Sequence, residues 1–310
     1  MREILSRWAL ASTMFLRLVF TALALVMASP DSRADSSDAR LASYYERHMA
    51  LEGDVAYGWV GRGAPRRLRA GVVQVGVSRD AWFALLADGT LLTWAGAPEA
   101  ATVLMRGVKR FAAGASGWCA IDAGGTLWHG SAAPPLRIAE DVAEACIGDS
   151  ADYFITRDGT LYVKGLAHRG QYGDGKLAAT PNFVATAQEA AAVKAHTGHA
   201  IHLRRDGVVM GTGGNRYGPL SAHGLGDKAD RWGPIFDGAS AIATGSRHSL
   251  AIRADASLWA WGEGFAIQPA KLFDKVTAVA AGDSATIART RDGALWQWDG
   301  GGAPRRLALP

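Results

Sequence analysis

Along most of this chain, bulky apolar side chains stand two apart with small ones between them. Each such run ends in a turn centred on Gly or Asp, and a second short apolar run follows. The stretch "HSLAIRADASLWAWG" (248–262) shows the plan: Leu250 and Ile252 are bulky, Ala251 is small, Asp255 sits in the turn, and Trp259 and Trp261 lie beyond it. Alternation with period two is the mark of a half-buried strand, and a polar turn between two such runs predicts a hairpin. The plan recurs with turn residues at Gly53, Asp88, Gly124, Asp158, Asp206, Asp255 and Asp292, at spacings of 35, 36, 34, 48, 49 and 37 residues. Two connections are thus longer by about a dozen residues.

Ahead of most hairpins stands another strand-like run, such as "VVQVGVS" (72–78), "VAEACIG" (142–148) and "VTAVAAG" (276–282). Each unit therefore holds three or four short strands. "GAPRRL" occurs at 63–68 and again at 302–307, at one offset from the turn, so the first and last units follow one plan. A sheet with one bulky and one small apolar face stacks on a copy of itself, as propeller blades do around an axis. The expected fold is all-β, a seven-bladed β-propeller over 51–310. Residues 39–50, "ARLASYYERHMA", fit neither period well and are open to a degraded inner strand or a short helix. Seven tryptophans (Trp59, Trp94, Trp128, Trp259, Trp261, Trp296, Trp298) fall at two equivalent positions of the unit. Buried aromatics each remove some 150–250 Å² from water, so these are assigned to the interblade core.

Composition agrees with a folded chain. Of 310 residues, 49% are hydrophobic and 20% charged, and 38 glycines against 11 prolines point to many tight turns. At the N-terminus Arg2, Arg7 and Arg17 precede the apolar "LVFTALALVM" (18–27), and "SRA" ends at Ala34 with small residues where a signal peptidase cleaves. Residues 1–34 are therefore read as a secretory signal peptide, with no membrane insertion after cleavage. An uncleaved anchor over 9–28 would place Arg17 near the bilayer centre, at about 2.5–3.5 kcal/mol. The chain beyond Ala34 has 29 basic and 27 acidic residues, a net of +2, and no basic run, so nucleic acid is not an expected partner.

Several motifs invite chemistry and have plainer readings. "GQYGDGKL" (170–177) approaches a phosphate-binding loop, but Leu177 stands where the magnesium-binding hydroxyl belongs. "HTGHAIH" spaces His196, His199 and His202 by three, and on a strand the odd separation sends His199 and His202 to opposite faces, so no metal site is assigned. "GDSA" at 148–151 and 282–285 repeats at one register, which describes a turn rather than a unique nucleophile. No cofactor is implied. Cys119 and Cys146 lie in neighbouring units, and an oxidising compartment favours an interblade disulfide over two buried thiols.

The hairpin "HSLAIRADASLWAWG" and the connector "GLAHRGQYGDGKLAATPNFV" (165–184), with the looser "GGNRYGPLSAHGLGD" (213–227), resemble the regulator of chromosome condensation repeat. The resemblance runs in register over about 45–310 and implies a seven-bladed propeller. Most connectors here are trimmed, and the fourth and fifth units keep the long loop. The secreted bacterial branch of that family implies binding through one end of the propeller.

Outside the core register, Trp82 and Trp118 occupy one position in adjacent units, where Asp152, Ala200 and Ser249 stand in others. Tyr172, Tyr217 and Trp232 fall in or beside the long connectors, and Arg247 lies in the turn before His248. Together Trp82, Trp118, Asp152, Tyr172, Tyr217, Trp232 and Arg247 are the candidate contact residues of one rim. The other reading of Trp82 and Trp118 is that they fill space left by a neighbouring blade. The expected protein is exported, periplasmic or extracellular, non-enzymatic and monomeric, with a protein partner or, alternatively, a glycan. A glycan-cleaving enzyme with carboxylates converging on the channel, and an envelope scaffold, are the other readings.

Overall fold

The computed structural model describes residues 39–115, 117–130, 134–223 and 226–310, and the expected signal peptide lies outside the described residues. Seven antiparallel sheets of four strands follow one another along the chain, at 41–69, 72–105, 108–139, 142–187, 190–236, 239–273 and 276–307. They are blades 1 to 7 of a β-propeller. In each, four consecutive strands run outward in chain order. The inner strands pack blade to blade, and the inner strand of blade 7 (Val276–Ala281) meets that of blade 1 (Leu41–Tyr44), which completes the ring. Among the described residues no blade borrows a strand from the other end of the chain, so the ring closes by packing.

The ambiguous 39–50 stretch carries two strands. Leu41–Tyr44 pairs with Arg47–Glu52 across a tight turn in which Tyr45 takes a left-handed φ of 48°. A non-glycine residue pays about 1–2 kcal/mol for that conformation.

Apolar side chains of facing blades form seven cores, one per interface. Trp59, Trp94, Trp261 and Trp298 are fully buried there, whereas Trp128, Trp259 and Trp296, two residues earlier in their units, are half-buried. At Trp259 the exposed flank is covered by Arg253, whose guanidinium lies 4.6 Å from the ring centroid.

The expected disulfide is not formed: Cys119 and Cys146 are free, buried thiols. Alternation along one strand is the reason. Ile147 faces blade 3 and packs in the core that holds Cys119. Its neighbour Cys146 faces the other way, into the core between blades 4 and 5, where its Sγ accepts a bond from the Ala195 amide at 3.2 Å. The sheet of blade 4 separates the two sulfurs, and burial raises both thiol pKa values.

Polar side chains of the inner strands link successive blades. Gln74 bonds both the amide and the carbonyl of Phe111, Arg110 donates to the Ala143 carbonyl, and Glu144 accepts from the Val193 amide and the Lys194 ammonium. Glu144 is the one carboxylate in the seven inner strands, and it is salt-bridged to Lys194 at 2.9 Å. The arrangement expected of a channel enzyme, carboxylates converging from several blades, is not formed by these strands.

Candidate functional site

Because the strands alternate in direction, the turn between strands one and two and the connector between strands three and four share one face in every blade. The index turns lie on the other face. Both long connectors, 166–183 in blade 4 and 215–227 in blade 5, therefore stand on the same face.

On that face the channel mouth is bridged by residues from opposite sides of the ring. Tyr44 of blade 1 stacks on His196 of blade 5 at 4.6 Å, and its hydroxyl accepts from the Ala115 amide of blade 3. Tyr45 donates to Asp149 of blade 4 at 2.9 Å. The surrounding turns bond one another: Asp149 amide to His196 carbonyl, Ser246 amide to Gly282 carbonyl, Asp283 amide to Tyr45 carbonyl. Thr197 and Ser246 share a hydroxyl contact of 3.0 Å. Burial, reinforced by the nearby Asp283, raises the pKa of Asp149 against the lowering bond from Thr197. Burial likewise lowers the His196 pKa to about 3, so this ring is neutral at physiological pH.

Beside the mouth lies a pocket of about 620 Å³, lined by the turns of blades 1, 5, 6 and 7 and by both long connectors. Its cations are Arg169, Arg216, Lys228 and Arg247, and its acids are Asp227 and Asp283. Arg247 is held by both carboxylate oxygens of Glu263 at 2.9 Å and lies 4.6 Å from the Tyr217 ring centroid. Arg216 approaches the same ring at 5.9 Å. Arg169 lies along bare backbone: a Cβ on Gly198 would stand 3.1 Å from its Nη1, and one on Gly214 would stand 3.6 Å from its Cδ. No ion pair to Arg169, Arg216 or Lys228 occurs among the described residues.

The two connectors share one build. Gly170 and Gly218 both take left-handed φ, at 88° and 78°, and their amides close turns onto the carbonyls of Ala167 and Asn215. In this alignment Tyr172 corresponds to Leu220, and Arg169 corresponds to Tyr217. Tyr172 and Leu220 are the inward anchors, 1% and 0% exposed, and the Tyr172 hydroxyl bonds both the amide and the carbonyl of Gly165. Arg169 and Tyr217 turn to the pocket.

Of the residues nominated from sequence, the structure brings Tyr217 and Arg247 together in the pocket. The others lie elsewhere. Trp82 and Trp118 are 1% and 7% exposed, buried in the first and second interblade cores, so neither presents a contact surface. Trp82 covers Gly58 of blade 1, whose Cβ would stand 2.9 Å from its ring. Tyr172 is connector core. Trp232 is half-buried against His202 and donates to Thr186. Asp152 is half-buried, 3.7 Å from His129. Tyr45, Arg169, Arg216, Lys228 and Asp283 went unnominated. The connector alignment carried a signal for Arg169, since it places that residue in register with Tyr217.

The family model of the regulator of chromosome condensation (RCC1) repeat matches residues 239–267, which is the hairpin of blade 6 with its inner strand. The match covers one blade of the seven. Solved structures similar to this propeller include Prp20p from Saccharomyces cerevisiae, with a TM-score of 0.65 and 15% identity over 78% of this chain and 80% of that one. The ectodomain of the Arabidopsis thaliana receptor kinase ACR4 has a TM-score of 0.58 at 15% identity, covering 88% and 98%. Human WBSCR16 gives 0.56 at 15% identity, covering 89% and 83%. Identities this low show a common fold. No curated protein matches the chain in sequence.

Proposed function

We propose that this RCC1-type propeller is an exported, non-enzymatic binding module that holds a protein partner against its connector face. The observation that carries this reading is the distribution of exposed apolar side chains. Leu166, Leu177, Tyr217 and Ile267 are half of the exposed large hydrophobic side chains among the described residues, and all four stand on the connectors of blades 4, 5 and 6, with Tyr217 lining the pocket and Ile267 beside Gly218. Exposed apolar groups gathered beside a cleft mark contact surfaces more often than scattered ones do. Prp20p, which shares the fold, binds Gsp1p and histones. Export rests on the basic, apolar and small-residue segments of 1–34.

The test is affinity capture from the native envelope and medium with three proteins of equal melting temperature. They are the chain from Asp35, a Tyr217→Ala, Ile267→Ser variant, and a Val103→Ser, Leu136→Ser variant altered on the outer strands of blades 2 and 3. A protein retained by the first and third and lost by the second is the expected result. Retention by all three, or loss from both variants, overturns the connector face as the docking surface. Recovery of a native chain that begins at Asp35 is the expected mark of export.

A further inference from the structure

We infer that the pocket is a carboxylate-recognition site, which receives an acidic segment of the docked protein through Arg169, Arg216 and Lys228. The inference rests on the connector face as the docking surface and adds the chemistry of what enters it. Three features point the same way. These cations have no ion pair among the described residues, whereas the fourth cation of the pocket, Arg247, is held by Glu263 at 2.9 Å. Arg169 and Arg216 come from the two connectors and Lys228 from the start of the strand after the second, and with Arg247 they outnumber the pocket acids Asp227 and Asp283, so the cleft is net positive. The Arg169 side chain runs over Gly198, where a Cβ would crowd its Nη1 at 3.1 Å, and beside Gly214, and this leaves the guanidinium placed without a protein partner.

A guanidinium so placed gives parallel donors to a carboxylate, a geometry that a lysine lacks. Arg247, tied to Glu263 and stacked on Tyr217, fixes the aromatic wall between the arginines instead of serving as a free charge. A volume of about 620 Å³ admits a few residues of extended chain. The exposed Tyr217 ring provides an aromatic surface against which such a segment lies.

The probes are a fluorescein-labelled peptide Gly-Glu-Asp-Glu-Asp-Gly, its Gly-Gln-Asn-Gln-Asn-Gly counterpart, and digalacturonate. Binding to the chain from Asp35 is read by anisotropy and by competition. The acidic peptide is expected to bind, the amide peptide not, and the affinity is expected to fall as sodium chloride rises from 50 to 300 mM. Arg169→Ala and Arg216→Ala are each expected to weaken binding about tenfold, the size of one charge-assisted bond. Arg67→Ala, on the outer strand of blade 1, is expected to change nothing. Preference for digalacturonate over the peptide overturns the acidic-segment assignment in favour of an acidic saccharide. Equal weakening by Arg67→Ala overturns it as non-specific charge attraction. Absence of peptide binding while protein capture by the connector face persists overturns this inference and leaves the docking surface standing.

Discussion

Blades 1 and 2 have connectors of five and seven residues (61–65 and 95–101), whereas those of blades 4 and 5 have 18 and 13 (166–183 and 215–227). The blades that follow them differ at one register position. After the short connectors it holds Trp82 and Trp118; after the long ones it holds Ala200 and Ser249. On the long side the connector itself fills the interface: Tyr172 packs in the core with Ala200, and the Pro219 carbonyl accepts bonds from Ser249 and Trp261. The same space is thus closed by a tryptophan from the next blade or by an inward-turned connector. Where the connector does it, the loop has an outer side left over, and that side carries Arg169, Arg216 and Tyr217.

The comparison breaks most sharply at Trp82. Trp82→Ala removes a fully buried ring from a site that no connector covers, a cost of about 3–5 kcal/mol with a fall in melting temperature on the order of 10 °C. Ser249→Ala, at the equivalent position on the long side, removes two hydrogen bonds and no volume, and is expected to cost about 1–2 kcal/mol. Chemical denaturation of both variants measures the difference. Equal losses would mean that connector and tryptophan do not substitute for one another.

Much of this is readable along the chain itself. The seven units, their hairpins and the buried tryptophan position follow from period-two alternation and the spacing of the index turns, because the same local sequence must build the same blade. The role of Trp82 and Trp118 is less readable, since an aromatic residue off the core register looks like surface until the length of the preceding connector is considered with it. The disulfide fails for a reason that lies in three dimensions: neighbouring units place the cysteines close in sequence, but strand alternation sends them into different cores. The pocket is least legible. Its lining draws on five blades, and Tyr45 and Asp283 are more than 200 residues apart in sequence.

The second contrast concerns acid. On the long side His199 and His248 clasp the next blade, through Ser249 and Thr286, and burial lowers their pKa values to about 3 and 4. A histidine whose folded pKa lies below the unfolded 6.5 leaves the unfolded state binding more protons in between. Its stabilisation is full above pH 6.5 and is lost as the pH falls toward about 4. The expected outcome is an unfolding free energy that declines from pH 6.5 to 5, a range in which ordinary carboxylates stay ionised. His199→Gln should flatten that decline. Asp149, with its raised pKa, works with the opposite sign at lower pH. A profile with no slope between pH 5 and 6.5 would show that the buried rings are protonated without cost.

The smallest effect separates the two sides of the connectors themselves. Tyr172 and Tyr217 stand in equivalent loops, one turned in and one turned out. The Tyr172 hydroxyl donates to the Gly165 carbonyl and accepts from the Gly165 and Thr180 amides. Tyr172→Phe leaves those buried groups short of a partner and is expected to cost about 1–3 kcal/mol. Tyr217 is 40% exposed and its ring serves as a platform for Arg247. Tyr217→Phe keeps the ring and should change stability by less than about 0.5 kcal/mol. If Tyr217→Phe matched Tyr172→Phe, the outer side of the connector would hold the fold together as much as the inner side does. It would then have no surface to spare for a partner.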